Sequence, residues 1–370
     1  VTVTKGAKMN IDSHITSIRR LAEKIGRPVR LMEVCGTHTV TAFRSGLRTL
    51  LPDGVSLLAG PGYPVCVTPG KYIDWIIAVA QQPDTIVATF GDMVRVPGTE
   101  TSLEKVRALG AGLRLVYSPV DALNEAARNP DTRVVFFGIG FETTAPTVAW
   151  TIREAARRGL NNYSVLCAHK TMPFAMAGLL SGGEVRIDGY MCPGHVSVII
   201  GARAFDFISR EYKKPCVVAG FEPGDMALAI EILLRQLAEN RAEVEIEYRR
   251  SVGREGNPEA LAAIDEIFEE SEAEWRGLGT IPRSGLKIRE KFAAHDASKL
   301  FSDLEPSASA ENPGCICGDV IRGARTPHDC PLFRKVCTPA SPVGACMVSG
   351  EGTCSTYYKY AGLEDRQGKL

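Results

Sequence analysis

The sequence predicts an α/β fold: parallel sheets covered by helices, in two similar halves, with a smaller cysteine-rich unit behind them. Three observations predict it. Up to about residue 240, short apolar runs alternate with helical patterns, as parallel strands joined by crossover helices do. Four of those runs end in one style, as LLAGPGYPVC, ATFGDMVRVPG, FFGIGFETTAP and VVAGFEPGD. Six of the 11 cysteines fall between Cys315 and Cys354.

Taken in order, Ile11, Ile15, Ile18, Leu21 and Ile25 recur at helical spacing, and Gly26 supplies the stop of a first helix. Strands are expected at 29–34 (VRLMEV), 55–58, 85–90, 113–117, 133–137, 163–167 and 216–219. Thr68-Pro69 and Ser118-Pro119 each place a capping hydroxyl before a proline suited to the first helical position. Asp225 precedes Met226, Ile230, Leu233, Leu234 and Leu237, one apolar helical stripe. After residue 240 the texture changes. A charged stretch, RAEVEIEYRRSVGREG, precedes a helix opened by Asn257-Pro258, with Leu261, Ile264, Ile267 and Phe268 on one face. A Gly/Pro/Ser-rich segment, 277–314, then leads into the cysteines. The expected division is 1–128 and 129–240 for the two halves and 241–370 for the third, loop-rich unit, held by its metal.

A chain of 370 residues is long for a single core. Hydrophobic residues make up 45% and charged residues 23%, the balance of a soluble globular protein. Lys+Arg and Asp+Glu are 43 each, so bulk charge offers no grip on nucleic acid or a membrane surface. With no apolar run long enough to span a bilayer and no signal-peptide core, the expected location is the cytoplasm. Thiols stay reduced there, and a cysteine cluster reads as metal-binding or redox-active rather than as a disulfide framework.

The C-terminal spacing is C-x-C-x12-C-x6-C-x8-C-x7-C. Structural zinc usually shows tight C-x2-4-C pairs, and none is present. Soft thiolates at irregular spacing suit an iron–sulfur cluster better, although a zinc site or buried inert thiols remain open readings. Six cysteines exceed the four that a [4Fe–4S] cluster takes, which leaves two for another role. Cys35, in EVCGTHT directly after the first strand, suits a low-pKa nucleophile or a metal ligand, with His38 placed to polarise it. Cys66 stands in an exposed, Gly/Pro-stiffened turn, free or paired with Cys35. Glu142 at a strand end, His195 on a Pro-Gly turn, and Glu222 and Asp225 in GFEPGD are acids and a histidine that can relay protons at the mouth of one cleft, and Asp225 equally suits a helix cap. Cys167, Cys192 and Cys216 belong with apolar strands and read as core. No G-x-G-x-x-G follows a strand and no G-x-x-x-x-G-K-[ST] occurs, so nothing points to NAD or ATP.

Together, CGTHT (35–39), GPGYPVCVTP (60–69), FETTAP (141–146), PGHVSVIIG (193–201), GFEPGD (220–225) and the end with CMVSGEGTC resemble the HypD family, maturation factors of [NiFe] hydrogenases. The resemblance spans nearly the whole chain. It implies two related αβα domains plus a third domain carrying a [4Fe–4S] cluster. It also implies a partner-dependent cyanide-transfer and redox step in building the Fe(CN)2CO unit of the hydrogenase active site. The small chaperone HypC would hold the transient iron together with Cys35. HypE would deliver cyanide as a thiocyanate, and the hydrogenase large subunit would be reached indirectly. Thr37, His38, Cys66, Glu142, His195, Glu222 and Asp225 carry over as motif positions at the iron or cyanide site. Cys315, Cys330, Cys337 and Cys354 are the expected cluster ligands, with Cys317 and Cys346 as alternates. One departure stands out: the family's G-P-G-C-P-V-C is here G-P-G-Y-P-V-C, so Tyr63 removes one half of a C-x2-C redox pair. Two other functions compete, a metal-stabilised docking protein and a cluster-dependent disulfide reductase. A missing thiol at position 63 weighs against the latter.

Overall fold

The structure, a computed structural model, describes residues 5–183 and 185–361, with side chains from residue 11 onward. Residues 1–4 and 362–370, at the outer ends of the first and third expected units, lie outside it.

Two parallel sheets form the framework. The first has the order β2-β1-β7-β8-β9, from β1 (Val29–Glu33), β2 (Val55–Ala59), β7 (Gly189–Pro193), β8 (Cys216–Ala219) and β9 (Val244–Ile246). The second has the order β4-β3-β5-β6, from β3 (Thr85–Thr89), β4 (Gly112–Leu115), β5 (Arg133–Gly138) and β6 (Tyr163–Cys167). All pairings within both are parallel. The seven strands expected from apolar runs are all present. Sheet membership is nevertheless discontinuous along the chain. It leaves the first sheet after β2, builds the second from β3 to β6, and returns at β7. Residue 128, the expected divide, therefore lies between two strands of one sheet. β9, beyond residue 240, still belongs to the first sheet.

Each sheet is covered on both faces. The helices Lys5–Ile25 and Pro223–Ala238 close one face of the first sheet, with Ile15, Ile18 and Leu21 packed against Ile230, Leu233 and Leu234. Its other face carries a core of Met172, Met176, Tyr190, Val218 and Trp275 that also takes in Cys66, Cys317 and Cys346. The second sheet is covered by Pro119–Arg128 and Ala145–Arg158 on one side and by Gly70–Ala80 on the other, where Ala345 and Val348 join the core. Residues of the cysteine-rich segment thus enter the cores of both sheets.

Three local expectations need correction. Phe268 does not continue the helix Pro258–Ile267. It opens β10 (Phe268–Trp275), which pairs antiparallel with β11 (Gly279–Ile288). The first part of the segment expected as a linker, Gly279–Ile288, is therefore a strand. Thr68 does not cap the next helix, because its hydroxyl donates to the Pro64 carbonyl (2.8 Å) and Pro69 is the N-cap. Asp225 lies inside the helix that it was expected to precede, which begins at Pro223 and has Glu222 as its N-cap.

No helix among the described residues is long and apolar enough to cross a membrane.

Candidate functional site

β1 delivers Cys35 to the N-terminus of the helix Gly36–Arg44, where it is the N-cap with extended backbone. A helix start offers free N–H groups, and the Cys35 sulfur accepts those of His38 and Thr37. The glycine turn after β2 lies directly on this corner. Gly36 N–H donates to the Gly62 carbonyl (3.0 Å), and a β-carbon on Gly62 would come within 2.1 Å of the Cys35 nitrogen. Beneath the thiol, buried Glu33 accepts from Cys35 N–H (3.1 Å) and from the Thr39 hydroxyl (2.5 Å). Burial pushes Glu33 up to about 8. Burial also pushes Cys35 up to about 12 against the two helix N–H groups. The expectation of a low-pKa thiol is thereby corrected: as a free side chain Cys35 is protonated, and any metal it took would have to displace that proton.

Three distant motifs meet here. His38 Nε2 donates to the Gly220 carbonyl (2.9 Å), while Nδ1 is buried with no partner. Burial lowers His38 to about 4, so the ring is neutral. Phe221 stacks on His38 with ring centroids 4.9 Å apart and on His195 at 3.9 Å. CGTHT, PGHVS and GFEPGD therefore share one aromatic stack. Glu222 and Asp225 stand at its edge as a capping box, Glu222 N–H donating to Asp225 Oδ2 (3.2 Å), with Asp225 also paired to Arg250. Glu142 stands elsewhere. Its Oε1 accepts from Met172 N–H (2.9 Å), its Oε2 is buried without a partner, and burial raises it to about 7.

Glu351 was not singled out in the sequence, yet it completes this corner. It accepts from the Thr37 hydroxyl (3.0 Å), and its charge acts on both Cys35 and His195. The signal that could have found it is an acid between two glycines inside CMVSGEGTC.

The six C-terminal cysteines line a single small cavity together with Ile316, Val320, Leu332, Phe333, Gly344 and Met347. Cys317 Sγ and Cys346 Sγ are 2.9 Å apart. Cys315 interacts with Cys317, and Cys346 interacts with Cys354 as well. The neighbouring Cys315 and Cys346 thiols pull Cys317 well below the usual thiol range, and the Arg276 charge acts in the same direction. Gly344 is required where it stands, because a β-carbon there would lie 2.7 Å from Cys315 Sγ. Among the described residues, no three His, Cys, Asp or Glu side chains converge on a point fit for one metal ion. Six soft sulfur donors around one cavity are a donor set that an iron–sulfur cluster would accept.

Cys66 is buried in the short helix Pro64–Val67, not exposed in a turn, because the flanking prolines and glycines fold it into the core. It interacts with the Cys346 thiol, and with Cys354 at longer range. Tyr63, the N-cap of that helix, donates to Asp92, whose same oxygen accepts from the Ser349 hydroxyl (3.0 Å). Cys192 and Cys216 are buried between strands. Cys167 lies at the end of β6, its sulfur 3.5 Å from His169 Nδ1.

Comparison with known proteins adds a family and relatives. The family model described as "HypD: Hydrogenase formation hypA family" matches residues 9–361. The chain is 48% identical over 356 residues to the hydrogenase maturation factor HypD of Rhodobacter capsulatus, covering 94% of each. It is 48% identical to that of Azotobacter vinelandii, over 92% of this chain and 93% of the relative. It is 44% identical to that of Escherichia coli K12, covering 90% of each.

Proposed function

This chain belongs to the HypD family of hydrogenase maturation factors, and from that premise we propose that it is the scaffold on which the Fe(CN)2CO unit is assembled. Iron, as cargo, is held by Cys35 together with a HypC-like chaperone. Cyanide arrives from a HypE-like thiocyanate donor. The hydrogenase large subunit receives the product indirectly. Cleaving the thiocyanate S–C bond takes two electrons and gives a thiolate and cyanide. The Cys317 thiolate and the Cys346 thiol closing to a disulfide release two electrons and one proton, and the two electrons balance that need.

The observation that carries this reading is the return of the cysteine-rich segment to the Cys35 corner. Glu351 meets Thr37 and Gly36, while Cys346 meets Cys66 one turn beyond the Gly62 loop. A docking protein has no need to bring sulfur pairs to a buried thiol. Cys315, Cys330, Cys337 and Cys354 would hold a [4Fe–4S] cluster, leaving Cys317 and Cys346 to each other. Bound there, the cluster would supply one-electron transfer beside that pair. Around the iron, Glu33 fixes the Cys35 backbone, the helix N–H groups of Thr37 and His38 stabilise its thiolate, and His38 and His195 stack on Phe221.

The test is anaerobic isolation with the small chaperone, followed by infrared spectroscopy of cyanide and carbonyl stretches. Cys35→Ala should keep its brown colour and lose those bands. Bands of equal strength in the variant would remove Cys35 from the iron site.

A further inference from the structure

The turn between β10 and β11 presents Arg276, which the proposed assembly leaves without a task. Its guanidinium is 6% exposed. Three contacts pin it. Its backbone N–H donates to the Val67 carbonyl (2.8 Å), its Nε to the Thr68 carbonyl (3.0 Å), and its Nη1 to Glu311 Oε1 (2.6 Å). The fourth nitrogen, Nη2, is buried with no partner. Next to it, Gly277 lies against Gly318, so closely that a β-carbon on Gly277 would come within 2.2 Å of the Gly318 α-carbon. Arg276 and Cys317 are therefore neighbours across two touching glycines, and the Arg276 charge acts on Cys317.

An arginine stays charged whatever its surroundings. Burying that charge with donors left over is unfavourable unless negative charge stands opposite. Glu311 answers only part of it, because its carboxylate is 44% exposed and faces Nη1 alone. The sulfur centre is the other candidate. A centre held by four thiolates is anionic, and reduction adds a further negative charge. A fixed cation inside the same core favours that added charge, since charge near the sulfurs and burial are among the levers on such potentials.

We propose that Arg276 sets the reduction potential of the C-terminal sulfur centre, raising it by placing one buried positive charge beside Cys317, with Glu311 as the counter-charge that limits the effect. The inference rests on the [4Fe–4S] reading above and adds to it a residue that tunes electron delivery without ligating iron.

The test is a redox titration of the full, cluster-loaded chain under anaerobic conditions, read by electron paramagnetic resonance and visible absorbance. Arg276→Gln should lower the midpoint potential, making reduction at least tenfold less favourable, or 59 mV for a one-electron couple. Glu311→Gln should raise it, and Arg276→Lys should stay near the parent. Equal potentials in all of these, or shifts of one sign for Arg276→Gln and Glu311→Gln, overturn the proposal. Should Arg276→Gln fail to fold, Glu311→Gln against the parent decides, since its exposed site tolerates the change and an unmoved potential refutes the assignment. A colourless, zinc-loaded parent chain would overturn the cluster reading and this inference with it. A brown chain with unmoved potentials would overturn the inference alone.

Discussion

Gly36 and Glu351 touch so closely that a β-carbon on Gly36 would sit 2.8 Å from the Glu351 carbonyl oxygen and 2.9 Å from its β-carbon. The contact seals the C-terminal segment over Cys35. Gly36→Ala must push that backbone away, which costs about 1–3 kcal/mol, as overpacking does. Chemical denaturation should show the loss. Alkylation of Cys35, followed by peptide mass, should become several-fold faster. An unchanged alkylation rate would mean that Glu351 does not guard the thiol.

Tyr63 takes the place of a family cysteine and makes a new link instead. Its hydroxyl and that of Ser349 converge on one oxygen of Asp92, joining the Cys66 helix to the cysteine-rich segment. Asp92 is exposed, so water replaces a lost partner readily. Tyr63→Phe should therefore cost about 1 kcal/mol, the net value of an ordinary hydrogen bond. A urea midpoint shift of that size, with the brown colour kept, is expected; loss of the cluster would show that the phenol holds the sulfur cavity together.

Glu142 carries a pH dependence whose sign can be worked out. Its folded value of about 7 exceeds the ordinary 4.5 because of burial. Below 4.5 both states are protonated and its contribution is fully present. Between 4.5 and 7 only the unfolded chain ionises, so stability falls; above 7 the loss is complete, about 3 kcal/mol. Glu142→Gln copies the protonated form and does not titrate. Stability compared at pH 5 and pH 8 should favour the variant increasingly at the higher value. Glu33 titrates in both proteins and cancels in the comparison. A difference independent of pH would show that Glu142 is ionised in the folded chain.

The seven strands with apolar runs were legible because both faces of a parallel sheet are buried. Ser118-Pro119 and Asn257-Pro258 were read correctly as caps, each with its side chain accepting a backbone N–H. β7 escaped because GYMCP carries Gly, Pro and Cys in place of β-branched residues, and only burial between β1 and β8 makes it a strand. β10 escaped because FEESEAEW is rich in acids and runs on from a helix without a break signal. At the site, Cys35 and His38 were legible because they follow an apolar strand, and His195 because it stands on a Pro-Gly turn, all in motifs of reactive types. Phe221, Glu351 and Arg276 were not. An aromatic spacer, an exposed acid and a buried base become part of a site only through contacts made across long stretches of chain, and local pattern carries no trace of those.

On the proposed reading, the six clustered cysteines divide into four cluster ligands and a pair. Sulfur atoms 2.9 Å apart, as in Cys317 and Cys346, are inside their normal contact distance and outside bonding distance, so each already faces the other. Cys330 and Cys337 line the same cavity, with Leu332 and Phe333. On that reading a four-thiolate cluster would take Cys315, Cys330, Cys337 and Cys354. Serine at any of these four should abolish the iron and sulfide content, about four irons per chain by that ligation. Cys317→Ser and Cys346→Ser should keep the iron and lose the disulfide that mild oxidation forms between them, read by peptide mass. They should also stop cyanide delivery, because neither remaining thiol can release two electrons alone. Iron lost from Cys317→Ser but kept in Cys330→Ser would move the ligand set to the tight group of Cys315, Cys317, Cys346 and Cys354 and leave the two-electron step without its pair.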